Sequence, residues 1–153
     1  MRYDEIISEA HPFRPALARL TARTAGGQNI THEQLRNNVT QYMQGLKGKT
    51  FHNIEADVDI QIVQRSINKS MSAANPLLRA HYALPEILTK GSVIGTEPRS
   101  VKRPGMIGML NIGATIMMNH KIMRVVAKIR RFPGHNQYYA MYLEQLEIFG
   151  GFE

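Results

Sequence analysis

A chain of 153 residues can bury one core and is short for two full domains. It has no cysteine, which excludes a disulfide framework, a thiolate zinc site and a cysteine nucleophile, and its nine Met with no Trp suit an adaptable core. The formal charge is +7, yet residues 60–139 carry twelve Lys or Arg against two acids, so the cations are gathered in one region. Gathered positive charge points to a polyanionic partner, nucleic acid first, because each neutralised phosphate releases counterions.

In chain order, residues 4–9 fit a short helix, and Pro12 or Pro15 can open a second that runs to Arg23, since proline is tolerated in a first helical turn. Gly26 and Gly27 end it. Thr31 with Gln34 has capping-box spacing, and Leu35, Val39, Tyr42, Met43 and Leu46 recur at helical intervals, which predicts a helix that ends near Gly45 and Gly48. From Lys49 the pattern changes. Val58, Ile60 and Ile62 alternate with polar residues as in a strand, residues 64–72 form a short polar helix or turn, and residues 77–88 predict a helix interrupted near Pro85. Residues 92–96 suit a strand and residues 97–105 a loop. Two long strands, 106–118 and 121–131, meet at a turn at Asn119 and His120, and residues 137–148 supply a last strand after Pro133 and Gly134. The class is α+β, with N-terminal helices over residues 1–48 and an antiparallel meander carrying a helix on one face over residues 49–153. The N-terminus lacks the basic-then-apolar order of a secretory signal, and the longest uncharged apolar stretch, residues 106–118, is too short to span a bilayer, so no membrane partner is expected.

Strand 121–131 has two different faces. Met123, Val125, Ala127 and Ile129 share one; Arg124, Lys128 and Arg130 share the other, spaced at about 6.6–6.8 Å per same-face step, close to the phosphate repeat of an extended single strand. Loop cations Arg99, Lys102 and Arg103 form a second basic cluster. Tyr138 and Tyr142 share a strand face and Tyr139 takes the other, so a tyrosine beside Arg124 or Arg130 can stack a base or donate to a phosphate. Strand tyrosines more often serve packing. The six histidines show no metal spacing, and neither metal nor cofactor is assigned. His81 stands on a predicted helix facing a sheet in basic surroundings, where it can act as a general acid or base; a structural histidine is the plainer alternative. Lys69 with the hydroxyls of Ser66, Ser70 and Ser72 can hold a phosphate, though without P-loop glycines, and helix capping explains the serines equally well.

Lys49-Thr50-Phe51-His52-Asn53, Ile60-Gln61-Ile62, the run from Ser66 to Ser72, His81-Tyr82-Ala83-Leu84-Pro85-Glu86-Ile87-Leu88, and Tyr138-Tyr139 ahead of Leu143-Glu144 together resemble the phage-associated barnase-EndoU-colicin-RelE-like nucleases. The similarity spans about residues 48–147. It implies a helix on a curved antiparallel sheet and metal-independent RNA cleavage, in which a ribose 2′-hydroxyl attacks the adjacent phosphate. Carried over residue by residue, it implies roles for His81, Lys69, Ser70, Arg124 and Tyr138. The resulting expectation is a phage or mobile-element protein of the bacterial cytoplasm that binds RNA through a basic sheet face and cleaves it. The alternative is a non-enzymatic effector that binds nucleic acid or inhibits an acidic host protein.

Overall fold

The computed structural model describes residues 16–97, 108–132 and 137–149. The elements run β1 (Ala16–Leu20), α1 (His32–Leu46), β2 (Thr50–Asn53), β3 (Val58–Gln61), α2 (Gln64–Ser70), α3 (Leu77–Ala80), a 3-10 turn (His81–Ala83), α4 (Leu84–Lys90), β4 (Ser92–Glu97), β5 (Gly108–Met118), β6 (Lys121–Phe132) and β7 (Gln137–Phe149). Among the described residues the strands form one curled, seven-stranded sheet in the order β1-β5-β6-β7-β3-β2, with β4 beside β5. The expected α+β class holds. The β5–β6–β7 meander is antiparallel, turning at Asn119, whose positive φ of 57° the tight turn requires.

Two flanking pairings are parallel, β1 with β5 and β3 with β7. β1 corrects the sequence expectation of a helix reaching Arg23. Its Ala-Leu-Ala-Arg-Leu composition favours helix, but pairing with the half of β5 that β4 leaves open outweighs so weak a preference. The expected helix over residues 4–9 lies outside the described residues.

α1 forms as its spacing predicts. The Thr31 hydroxyl accepts from the Gln34 amide at 3.1 Å and the Gln34 side chain accepts from the Thr31 amide at 2.8 Å, while Leu35, Val39, Met43 and Leu46 are buried. These four join Ile67 of α2, Leu78 of α3, Leu84, Ile87 and Leu88 of α4, and Ile60, Ile112, Ile116, Met123, Val125, Ile129 and Leu143 of the sheet in one core. Each such aliphatic side chain contributes about 1.5–3 kcal/mol when fully buried. The expected break near Pro85 falls just ahead of it, at the 3-10 turn, because a proline ring cannot continue an α-helix whose carbonyls precede it.

Asn53 locks α4 to the sheet. Its side-chain amide donates to Leu88 O at 2.8 Å and Gly91 O at 3.0 Å, and its Oδ1 accepts from the Ala56 amide at 2.7 Å, all out of contact with water. Two carbonyls at the end of α4 that lack helical partners are thereby satisfied. Gly91 fits the same junction, since a Cβ there would strike the Ile112 side chain and Ile87 O. Asn53→Ala should destabilise the fold by about 1–3 kcal/mol, read as a lowered urea midpoint with an unchanged slope.

Candidate functional site

α2, the segment leading from it into α3, and β7 enclose an open pocket of about 420 Å³, lined by Lys69, Ser70, Ser72, Ala73, Leu77, His81, Tyr142 and Leu143. Three residues singled out for catalysis, His81, Lys69 and Ser70, therefore meet at one place. Lys69 Nζ lies 5.1 Å above the centre of the Tyr142 ring, a cation–π contact. The Ser70 hydroxyl donates to Ser66 O at 2.7 Å and the Ser72 hydroxyl to Lys69 O at 2.9 Å, so each oxygen keeps lone pairs for a further donor. A smaller cavity of about 10 Å³ lies between Ser66, Ser70, His81, Ala140 and Tyr142.

His81 is 1% exposed. Its Nδ1 stands 3.0 Å from Leu77 O and 3.1 Å from Leu78 O; both are acceptors, so Nδ1 carries the proton and donates. Burial lowers its pKa below the ordinary histidine value, outweighing the two backbone bonds that favour the charged form. Nε2 is then a neutral lone pair, buried and without a hydrogen-bond partner among the described residues.

Tyr138 is elsewhere. It stands opposite Arg131, whose guanidinium lies 5.7 Å from its ring centre, and lines a separate cavity of about 280 Å³ with Ala56, Val58 and Met109. Tyr142 occupies the position at the pocket instead. β7 shifts register between Ile129 and Lys128, pairing Ala140 with the first and Tyr142 with the second, so Met141 is an extra residue. One extra residue reverses the alternation, and Tyr142 falls on the opposite face from Tyr138. That corrects the expectation that Tyr138 and Tyr142 share a face; periodicity carries no sign of a bulge that is set by the neighbouring strand.

The basic face of β6 is not solvated. Arg124 and Arg130 are only 8% and 3% exposed, and Lys128 is half-buried, donating to Asn111 Oδ1 at 3.1 Å and lying 3.9 Å from Glu144 Oε1. Residues 112–116 of β5 and 123–127 of β6 are buried without interruption, so both faces of the central strands are covered and the one-sided sheet that alternation suggests does not form. Arg99, Lys102 and Arg103 lie outside the described residues. At the β2–β3 turn, exposed His52 meets Asp59 at 2.7 Å and Asp57 at 3.0 Å, and the hydrogen bond to Asp59 raises its pKa.

Helices packed on a curled sheet with a long meander define an α+β domain. The model for large polyvalent protein-associated domain 3 matches residues 30–139, and the chain belongs to that family. No curated protein and no solved structure matches the chain. None of these comparisons points to the barnase-EndoU-colicin-RelE-like nucleases. Among the described residues, no helix is long and apolar enough to cross a membrane.

Burial of His81 has a pH signature. Above pH ~6.5 the ring is neutral folded or unfolded; below it the unfolded chain gains a proton that the native chain resists, so native stability falls with pH until the lowered native pKa is passed. Between pH ~6.5 and that lowered pKa the wild type should lose up to about 1.4 kcal/mol per pH unit more than His81→Gln. Urea midpoints of both proteins between pH 7.5 and 5 check this; parallel curves would contradict it.

Proposed function

We propose that this is a nucleic-acid-binding domain of a phage or mobile-element protein acting in the bacterial cytoplasm, and that it holds single-stranded RNA by seating a phosphate at Lys69, Ser70, Ser72 and Tyr142. The observation that carries the reading is the convergence of one cation and three hydroxyls on an open pocket, in a chain whose positive charge is concentrated in the same region. A phosphate is matched by a lysine as point charge and by hydroxyl donors, the Tyr142 phenol and, once they rotate away from Ser66 O and Lys69 O, the Ser70 and Ser72 hydroxyls. Membership of a family associated with large polyvalent proteins agrees with a phage setting.

The binding reading stands ahead of cleavage on geometry. Transesterification needs a base for the 2′-hydroxyl and an acid for the leaving oxygen within reach of one phosphate. His81 has the protonation state of a base, with Nε2 lacking a partner, and it lines the pocket; Tyr138, the expected companion, does not. That neutral Nε2 is the specific observation favouring metal-independent cleavage as a second reading.

Fluorescence anisotropy with a labelled oligouridylate tests the first reading. Binding should weaken with salt, and Lys69→Gln should lower the slope of log K against log salt by about 0.7, the value of one lost single-strand phosphate contact. No binding at low salt, or an unchanged slope in a folded variant, sinks it. Total bacterial RNA incubated with chelator decides the second: if the wild type cleaves, His81→Ala should reduce the rate by roughly 10²- to 10⁴-fold while binding persists.

A further inference from the structure

On the other side of the 73–81 segment a second cavity, of about 490 Å³, is lined by Ala22, Asn75, Pro76, Arg79, Met118, Asn119, His120, Lys121 and Met123. Among the described residues no acidic side chain lines it. Arg79 is 9% exposed, and its Nη1 donates to Ala22 O at 3.0 Å, Ala25 O at 2.9 Å and Gly27 O at 2.8 Å, gathering the carbonyls of the turn after β1. Every side-chain hydrogen bond that Arg79 makes to the described residues runs through Nη1. Among the described residues no carboxylate pairs with it, and a guanidinium that stays ionised at any physiological pH is offset there by carbonyl dipoles. Isolated buried charge is costly, and an anion beside it removes much of that cost.

Lys121 and His120 stand exposed on the β5–β6 turn that forms the opposite wall. That turn is fixed by the positive φ of Asn119, 57°, and by the Asn119 amide donating to Leu20 O at 2.7 Å, so both cationic walls of the cavity are tied to the same β1–turn segment. Asn75 and Asn119 add amide donors. We propose that this cavity is a phosphate-binding site in which Arg79 anchors the anion through its remaining N–H groups and Lys121 closes over it. A planar guanidinium suits two phosphate oxygens at once, a lysine one. The inference stands apart from the Lys69 pocket and does not need it.

The test uses the full chain labelled for nuclear magnetic resonance. Inorganic phosphate, added against chloride at equal ionic strength, should shift the amide signals of Asn119, His120 and Lys121, and Lys121→Gln should raise the apparent Kd by about tenfold, one charge-assisted hydrogen bond being lost. Lys121 is exposed, so the variant keeps its fold; Lys69→Gln should leave these shifts intact, which separates failure here from failure of the RNA reading. An oligoribonucleotide with and without a 5′-phosphate identifies the source. Shifts with both mean internal phosphodiesters, shifts needing the 5′-phosphate mean a terminal monoester, and shifts with free phosphate alone mean a small phosphorylated ligand. Absence of phosphate-specific shifts, or shifts that Lys121→Gln leaves unchanged, overturns the proposal.

Discussion

β3 pairs with β7 only where Ile60 faces Tyr138 and Gln61 faces Tyr139, and past that point this edge of β7 needs other partners for its backbone. Ser66 provides one: its hydroxyl donates to Ala140 O and accepts from the Val63 amide at 3.3 Å, which joins the first turn of α2 to the strand edge. An α-helix therefore covers an edge that another strand would otherwise occupy. One turn further along α2, Ser70 and Lys69 are brought against Tyr142 by the same attachment. The Met141 bulge completes the arrangement by turning Tyr142 toward the pocket face. Pocket, cation and phenol thus follow from how one strand edge is satisfied.

The cations of this chain fall into groups with different physics. Arg124 and Arg130 are enclosed on the covered face of the meander, where a charge is tolerated only with close compensation, and they belong to the interior of the fold. Arg79 is equally enclosed but serves a turn, holding three carbonyls with one nitrogen. Lys69 and Lys121 remain beside open cavities. A net positive count taken over residues 60–139 adds these groups together, although only side chains beside open space can neutralise phosphate.

What periodicity controls was legible in the sequence. The capping box at Thr31 and Gln34, the apolar stripe of α1, the helix carrying Leu78, Ile87 and Leu88, and the turn at Asn119 all depend on neighbours within a few residues, and each appears where the spacing puts it. What depends on distant partners was not. β1 is a strand because β5 has an open edge, Tyr142 faces the pocket because β7 bulges, and Arg124 lies in a run of β6 that is buried on both faces. The grouping of His81, Lys69 and Ser70 was legible because they flank two short helices separated by a few residues, so any compact packing of those helices on one sheet edge brings them together. Tyr138 stood outside that local logic.

His81 joins the two halves of this picture. It follows α3, so its Nδ1–H can reach back to the carbonyls of Leu77 and Leu78, and this bond fixes the tautomer. Arg79, two residues earlier, turns to the opposite cavity and the carbonyls after β1. Successive helical positions are about 100° apart, so residues two positions apart point to nearly opposite sides. A single short helix, covered by Leu78 against the core, thereby sets a buried neutral imidazole beside one pocket and a fixed positive charge beside the other.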